Sequence, residues 1–233
     1  IVATDDDGGG DDTEKEKRRR IEKYFICAKS QDDHVNRKLL EESKRHDDII
    51  QFDLSESYEN LVYKSIAALK WATTFCSTAK FLLKLDDDVV PNVIRLLDFL
   101  EAQNGATMNR RRSILCNLNV KANVIRNKKS KFYLSNDQYK QSHFPIYCDG
   151  PAYLLTMDIL PDLYNSSKHF AYFPFEDVFL TGILRVDLDK SNINKDSIKL
   201  IDLKMNYLRY YLDSYLLNLI KSFLFGDYFI FIY

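Results

Sequence analysis

The chain has 233 residues, of which 45% are hydrophobic and 29% charged, and its net charge at pH 7 is −1. This length suits one sizeable α/β domain, and the balance supplies enough apolar side chains for a buried core. The near-zero charge gives no sign of the strongly basic surface that nucleic acids or anionic membranes require, so function must come from a local site.

The chain begins with a polar segment, IVATDDDGGGDDTEKEKRRR. The segment lacks the apolar region of a signal peptide, and its composition predicts a disordered tail over residues 1–22. Residues 23–186 follow as the predicted folded domain.

The folded domain alternates short apolar runs with segments of helical composition. Runs with the character of strands occupy residues 24–28, 48–54, 80–85, 113–118 and 152–156. Helical patterns occupy residues 34–46, 55–76, 92–104, a short segment at Pro161, and 176–186. Strands that alternate with helices predict an α/β fold with a mostly parallel, doubly wound sheet flanked by helices.

Two regions do not follow this alternation. The basic, polar stretch 121–143 predicts a loop or a weak hairpin. Residues 187–233 are first rich in Lys, Asn and Asp and then in Tyr and Leu, and we expect a helical C-terminal segment there. Its apolar end, LLNLIKSFLFGDYFIFIY, is interrupted by Lys221 and Asp227 and falls short of a transmembrane helix.

The cysteines Cys27, Cys76, Cys116 and Cys148 lie far apart along the chain. The absence of a C-x-x-C pair argues against a zinc site. They are either buried thiols or partners in one or two disulfides formed in an oxidising compartment, and the sequence does not choose among the possible pairings.

Three consecutive aspartates, Asp86 to Asp88, come directly after the apolar run KFLLKL. In an extended chain alternate side chains share a face, so Asp86 and Asp88 are expected to point the same way. They stand at the carboxyl end of a predicted central strand, where open α/β sheets bind ligands. A hard divalent ion that also holds substrate phosphate oxygens would relieve the repulsion between them. The alternative is a polar loop in which Asp88 or Asn92 caps the next helix.

A second acidic pair, Glu176 and Asp177, lies in the segment FPFEDVFLTG. The pair opens a predicted helix, where the helix dipole stabilises carboxylates. It is either simple charge at a helix N-terminus or a second functional cluster that works with the first.

Between the acidic clusters lies FPIYCDGPAYLLT, residues 144–156. Gly150 and Pro151 predict a tight turn among aromatic side chains, an arrangement suited to packing against a flat sugar or base. We therefore expect Tyr147 and Gly150 to contact a substrate, although Tyr147 and Tyr153 are equally compatible with ordinary packing.

Taken together, these segments resemble one family, the β-1,3-galactosyltransferases and β-1,3-N-acetylglucosaminyltransferases of glycosyltransferase family 31. The stretch SYENLVYKSIAALKWATTFCSTAKFLLKLDDDVVPN is similar to the family's Asn-Leu-x-x-Lys helix, Lys-Trp pair, Cys and Lys-x-Asp-Asp-Asp strand end. FPIYCDGPAYLLTMDIL resembles its Tyr-Pro-x-Tyr-x-x-Gly-x-x-Tyr segment, with Phe144 in place of the first tyrosine. EDVFLTGIL resembles its Glu-Asp-Val-x-x-Gly motif, with Thr181 as an added residue. The resemblance spans residues 24–186.

The resemblance implies a GT-A fold, a UDP-sugar donor, Mn²⁺ (or Mg²⁺) and inversion at the anomeric carbon. It assigns Asp88, together with Asp86, to the metal and to the ribose and diphosphate of the donor. It assigns Asp177 as the general base that deprotonates the acceptor hydroxyl, and Glu176 to hold the acceptor or a water. An aspartate with an ordinary pKa of about 3.9 is a weak base, so we expect Asp177 to be partly desolvated.

The resemblance also implies an acceptor glycan on a glycoprotein or glycolipid and a place in the Golgi lumen, with a membrane anchor outside this chain. Galactose is the expected sugar, and N-acetylglucosamine is the other sugar that the family transfers.

The chain departs from the family pattern upstream of the strand at 24–28. Family members carry another strand there, followed by Arg-x-x-Ile-Arg-x-Thr-Trp, whereas this chain has only RRRIEK. We therefore expect a GT-A-like fold truncated at both ends. Two other functions fit such a chain: an inactive transferase fold that acts as a carbohydrate-binding or scaffold module, and another Mg²⁺-dependent nucleotidyl or phosphoryl transferase.

Overall fold

The computed structural model describes residues 20–89, 91–102, 111–191, 196–203 and 227–232. The strands are β1 (Ile21–Lys29), β2 (Ile49–Ser55), β3 (Phe81–Leu85), β4 (Ser113–Asn119), β5 (Tyr147–Thr156), β6 (Lys199–Asp202) and β7 (Asp227–Ile232). The α-helices are α1 (Asp33–His46), α2 (Leu61–Phe75), α3 (Val93–Ala102), α4 (Leu160–Ser167) and α5 (Leu184–Ser191). A 3₁₀ turn at Met157–Ile159 precedes α4, and a π-helix at Val178–Ile183 precedes α5.

The described strands form one mixed sheet in the order β2-β1-β7-β3-β5-β4-β6. Strand β1 pairs in parallel with β2, and β4 with β6, whereas β5 and β7 are antiparallel to both of their neighbours. Five strands therefore run in one direction and two in the other. This confirms the predicted α/β class with a single sheet flanked by helices, and the sheet is mixed, because four of its six strand pairings are antiparallel.

Both faces of the sheet are covered, which explains why every residue of β3 is buried. Leu82 packs in one core cluster with residues of α2, α4 and α5. Phe81, Leu83 and Leu85 pack in the other cluster with residues of α3. Because side chains alternate along a strand, Lys84 shares the face of Leu82. The carboxyl end of β3, the predicted central strand, therefore lies at one end of the sheet, and Lys84 lies next to that end.

The segment 55–76 differs from its prediction at its beginning. Ser55 is the last residue of β2, and α2 begins at Leu61. Glu56 lies between them and accepts hydrogen bonds from the Ala28 backbone N–H at 2.7 Å and from Lys64 Nζ at 3.1 Å. Glu56 therefore ties β1 to α2, and because of these tertiary contacts the helix begins later than its local sequence suggested.

The C-terminal region also differs from the expected helical segment. Beyond the end of α5, its described parts are the strands β6 and β7, and β7 lies in the centre of the sheet between β1 and β3. The run DYFIFI is rich in aromatic and β-branched residues, which favour strands. The rest of the expected segment and the predicted tail fall on residues 192–195, 204–226 and 1–19, outside the described residues. Ile21 and Glu22, expected in the tail, begin β1.

The described residues contain one disulfide, which links Cys116 of β4 to Cys148 of β5 with a Cα–Cα distance of 5.6 Å. Cys27 and Cys76 are buried and take no part in it. Of the helices in the described ranges, none has the length and apolar character needed to cross a membrane.

Candidate active site

The three aspartates form a turn at the carboxyl end of β3. Strand β3 ends at Leu85, and Asp86 to Asp88 are each partly buried. The Asp86 backbone N–H donates to the Pro151 carbonyl at 2.9 Å, which holds the turn against β5. The first acidic cluster therefore lies directly beside the Gly150–Pro151 segment.

Lys84 is a buried cation that joins this turn to β5. Its side chain is 1% exposed, and its Nζ donates to Asp86 Oδ1 and, at 3.1 Å, to the Gly150 carbonyl. The same Nζ lies 5.8 Å from the centre of the Tyr153 ring. A buried lysine needs such partners, because an uncompensated charge in the core is costly.

Asp177 approaches the same segment from the other acidic cluster. It precedes the π-helix, and its carboxylate accepts from the Val178 backbone N–H at 2.7 Å. Asp177 Oδ2 lies 3.0 Å from the position that a Cβ on Gly150 would occupy. A side chain at this position would crowd the carboxylate, which would have to shift by a few tenths of an ångström, so the glycine favours the close approach of Asp177. Asp86 and Asp177 thus both lie beside the Lys84–Gly150 contact.

Burial makes Asp177 a stronger base than an ordinary aspartate. Burial raises its pKa above the usual value, and the carboxylates of Asp149 and Asp86 add to that rise. The hydrogen bond from Val178 and the charge of Lys84 oppose it. Asp177 is therefore both desolvated and held by specific partners, as a positioned carboxylate base requires.

A cavity of about 360 Å³ opens beside Asp177. Asp149 and Asp177 supply its acidic groups, and its aromatic wall is formed by Tyr58, Phe132, Phe144, Tyr147 and Phe175. A few polar groups on a largely aromatic surface, in a volume of this size, are typical of a small-molecule site. Aromatic faces with carboxylate edges suit a sugar ring, which has apolar faces and a hydroxylated rim.

Tyr147 is one of the expected substrate contacts, and it lies on this wall. Burial, with the charges of Asp177 and Asp149, raises the pKa of its phenol to about 12. The phenol therefore keeps its proton near neutral pH and can donate a hydrogen bond to a ligand oxygen. Gly150, the second expected contact, shapes the site by letting Asp177 approach.

Glu176 does not take the position expected for a residue that holds an acceptor or water. Its side chain is 4% exposed and accepts a hydrogen bond from the hydroxyl of the fully buried Tyr153. The reason is packing: Phe175 and Val178 on either side of the acidic pair are core residues, and the chain turns Glu176 inward with them. Glu176 therefore lies next to Tyr153, whose ring is close to Lys84, and it does not line the cavity.

The donors at the β3 turn fit a hard divalent ion in kind and are few in number. Asp86 and Asp88 supply carboxylate oxygens, the ligands that Mn²⁺ and Mg²⁺ prefer. Within the described ranges, no three Asp, Glu, His or Cys side chains gather as a metal-holding group. An ion at this turn would therefore complete its coordination with waters and with oxygens of a bound diphosphate. Asp88 would be the main protein ligand of such an ion, because Lys84 already pairs with Asp86.

Sequence reasoning did not single out Lys84, Asp149 or Tyr58. Lys84 carried a signal, since a lysine in an apolar strand two residues before Asp86 shares its face. The sequence held a weaker signal for Asp149, which is the neighbour of Gly150. Tyr58 carried none, because its place at the cavity depends on how α2 packs.

Comparison with known proteins agrees with this arrangement. A profile of the family described as galactosyltransferase matches residues 10–196. The chain is 32% identical over 165 residues to beta-1,3-galactosyltransferase 1 of Mus musculus, covering 71% of this chain and 50% of that protein. It is 31% identical over 160 residues to beta-1,3-galactosyltransferase 5 of Homo sapiens, covering 69% of this chain and 50% of that protein. The chain thus spans about half the length of the curated relatives that it matches. Since the family profile covers most of the sequence, including both acidic clusters and the segment between them, the chain belongs to the galactosyltransferase family.

Proposed function

We propose that this chain transfers a hexosyl group, galactose, from a UDP-sugar to a β-1,3 position of a glycan acceptor, with inversion at the anomeric carbon. One observation carries the proposal. Asp177 touches Gly150, and the Gly150 carbonyl shares Lys84 with Asp86. The two acidic clusters, distant in sequence, therefore border one site.

Asp177 is the proposed general base. Sugar transfer with inversion needs a base that takes the proton of the attacking hydroxyl on the face opposite the leaving group. Asp177 lines the cavity, and its raised pKa increases its affinity for that proton. Tyr147 and Asp149, on the same wall, are placed to hold hydroxyl groups of the acceptor sugar and to orient it.

The donor diphosphate is proposed to lie at the turn after β3. Asp88, with Asp86, would hold Mn²⁺ (or Mg²⁺) there, and the bound ion would neutralise charge that develops on the leaving diphosphate. Lys84 fixes the Asp86 carboxylate and also supplies positive charge close to it. We propose Glu176 as a positioning residue that acts through Tyr153 on Lys84, in place of the expected direct contact with the acceptor.

The natural setting proposed is the Golgi lumen, with the full-length protein anchored in the membrane and an acceptor carried on a glycoprotein or glycolipid. The disulfide between Cys116 and Cys148 supports an oxidising compartment.

A carbohydrate-binding or scaffold module without transferase activity is the second candidate. It is favoured by the pairing of Asp86 with Lys84, which neutralises one of the two carboxylates at the turn without a metal. The aromatic cavity would still bind a sugar in such a protein.

Titration of UDP into the chain by calorimetry, with and without Mn²⁺, separates these possibilities. For the transferase, we expect UDP binding to depend on Mn²⁺ and to weaken at least about tenfold in Asp88→Ala, because a ligand to the ion is lost. Asp98→Ala, which removes an exposed carboxylate from α3, is the matched control and should bind like the unmodified chain. UDP affinity that ignores both Mn²⁺ and Asp88→Ala would remove the metal role.

A transfer assay completes the test. Release of UDP from UDP-galactose that increases when a β-linked glycan acceptor is added would support the transferase. Metal-dependent UDP binding without transfer to any such acceptor would favour the binding module.

A further inference from the structure

Three exposed tyrosines stand beside the mouth of the cavity. Tyr58 is 58% exposed, and Tyr63 and Tyr172 are each 44% exposed. Tyr58 lines the cavity together with Asp177. The rings of Tyr63 and Tyr172 stack with centroids 5.6 Å apart and planes inclined by 29°. These rings are paired with each other and still present much of their surface to solvent.

The tyrosines come from two parts of the fold that also build the site. The Tyr58 carbonyl accepts from the Leu61 N–H at 3.2 Å, in the turn that begins α2, and Tyr63 lies in the first turn of that helix. Tyr172 lies five residues before Asp177, in the segment that leads to the acidic pair. The segment that leads to Asp177 therefore carries Tyr172, and the turn that begins α2 carries Tyr58, which lines the cavity.

The tyrosines form a row in which Tyr58 borders the cavity and the stacked pair of Tyr172 and Tyr63 follows. Burial raises the pKa of the Tyr58 phenol, and Asp177, Asp86, Glu176 and Tyr172 add to the rise. Burial also raises the pKa of the Tyr172 phenol, with contributions from Glu59 and Tyr63. Tyr58 is thus close to both the cavity and Tyr172, and Tyr172 is in contact with Tyr63.

We propose that Tyr58, Tyr172 and Tyr63 bind the sugars of the acceptor glycan that follow the sugar receiving the hexose. The inference rests on the proposed function, because Asp177 marks where the reacting hydroxyl lies. A sugar ring packs its C–H face on an aromatic ring, and the tyrosine hydroxyls can bond to the hydroxylated edges. A row of such rings that begins at the cavity suits a linear chain of sugars.

A glycan fits this surface better than a protein partner does. A stable protein interface buries about 800 Å² on each side and involves some 20 residues. The three tyrosines offer a much smaller surface than such an interface, and they border a cavity. This arrangement suits a narrow polymer whose terminal unit lies in the cavity. The occupant is therefore the acceptor substrate of the same site.

The test measures binding of nested, β-linked oligosaccharides of one, two and four sugars to the full chain. Two series are titrated by saturation-transfer NMR and calorimetry, one ending in N-acetylglucosamine and the other in galactose. The effect of glycan length is then measured with the series whose monosaccharide binds more tightly. We expect the tetrasaccharide to bind about tenfold more tightly than the monosaccharide. Tyr172→Ala and Tyr63→Ala should remove most of that difference and leave monosaccharide binding unchanged.

Two controls separate stacking from folding. Tyr172→Phe keeps the ring and should keep most of the length dependence. Phe75→Ala removes a side chain that is 69% exposed at the other end of α2 and should behave like the unmodified chain.

Affinity that does not grow with glycan length, or length dependence that survives both alanine substitutions, would overturn the inference, as would the absence of binding in both series. Because the readout is binding, a chain that binds long glycans through these tyrosines but transfers no sugar would refute the proposed transferase and leave only glycan binding by the tyrosines.

Discussion

At the scale of single residues, Asp177, the proposed general base, combines burial with specific partners for its carboxylate. Burial raises its pKa, and a hydrogen bond from Val178 with the charge of Lys84 keeps the ionised form accessible. A carboxyl whose pKa is raised by folding stabilises the native state only below its unfolded pKa, and that contribution is lost as pH rises through the folded pKa. At neutral pH, Asp177 therefore costs stability, and we attribute the retention of that cost to catalysis.

The Asp177→Asn substitution tests this account. We expect transfer to fall by about 10²- to 10⁴-fold, because the general base is removed. The free energy of unfolding at neutral pH should stay the same or increase, since the amide oxygen can still accept from Val178 and no charge is buried. Initial rates and urea unfolding at pH 7 check both expectations. A variant that keeps its transfer rate would remove Asp177 from the mechanism.

The pH dependence of the unmodified chain provides the matching measurement. Transfer should fall on acidification with a midpoint above the ordinary aspartate value of 3.8, because Asp177 must be ionised to act. Asp149→Asn should move that midpoint to lower pH, since the Asp149 carboxylate helps to raise the pKa of Asp177.

The types and spacing of residues indicated the candidate site in the sequence, whereas the burial and partners of individual side chains could not be foreseen. The two acidic clusters and Gly150 were recognisable because carboxylates after a strand and a glycine among aromatics are local signals. The inward position of Glu176 was not recognisable, since it depends on the hydrogen bond that Tyr153 donates from a strand distant in sequence. Lys84 shows the intermediate case, in which strand alternation gives the direction of a side chain but not its partners.

At the scale of elements, the π-helix at Val178–Ile183 accommodates the added residue of the Glu-Asp-Val motif. One residue inserted into a helix is commonly absorbed as a π-helical turn, and such turns are frequent at functional sites. Gly182 fits tightly against β5, because a Cβ there would lie 3.0 Å from Tyr147 Cβ. The wider turn allows Asp177 to begin the helix while Gly182 keeps that contact.

Thr181 stabilises this turn through its hydroxyl. Its Oγ1 donates to the Asp177 carbonyl at 2.6 Å and accepts from the Cys148 backbone N–H at 2.8 Å. Thr181→Val keeps the shape but leaves buried polar groups unpaired, so we expect a loss of about 1–3 kcal/mol in the free energy of unfolding. Transfer should also slow, because Asp177 is no longer anchored to β5.

Thr181→Ser is the matched control, since it keeps the hydroxyl and loses one methyl group, at a cost of about 0.8 kcal/mol. Urea unfolding and initial transfer rates of both variants make the comparison. A Thr181→Val variant that unfolds like the unmodified chain would show that the hydrogen bonds do not stabilise the turn, and equal losses in the two variants would show that the methyl group contributes as much as the hydroxyl.

Local patterns predicted the middle of most elements correctly and their ends less well. Helix α1 and strands β3 and β4 agree with their apolar periodicity within a residue or so. The beginning of α2 was missed because Glu56 bonds to β1 and α2 instead of capping a helix at Ser55. Strand β5 begins before its apolar run, because pairing with β4 extends through Cys148 to Tyr147.

At the scale of the whole molecule, β7 connects two parts of the sheet that would otherwise be separate. It pairs with β1 from Ile21 to Ile26 and with β3 from Phe81 to Leu85. Phe229 and Phe231 belong to one core cluster, and Ile230 and Ile232 to the other. The sequence did not reveal this role, since nothing local indicates that the last apolar run inserts between strands located more than a hundred residues earlier.

Removal of residues 227–233 should therefore prevent folding of the sheet as a unit. The deletion leaves backbone groups of β1 and β3 without partners at the centre of the molecule and removes side chains from both cores. We expect the shortened chain to lose its cooperative unfolding transition and its binding of UDP. Far-UV circular dichroism during urea unfolding, together with calorimetric titration of UDP, measures both.

A point substitution separates loss of the strand from loss of chain length. Phe231→Ala should lower the free energy of unfolding by about 3–5 kcal/mol, because the ring is 1% exposed and packs against Tyr24 and Trp71. Phe75→Ala, the control at an exposed aromatic residue, should change it by about 1 kcal/mol or less, because Phe75 is 69% exposed and its ring contacts only Trp71 among the described rings, at 5.3 Å. A shortened chain that unfolds cooperatively at the same urea concentration as the full chain would show that β1 and β3 do not need β7, and the central place of this strand in the fold would have to be abandoned.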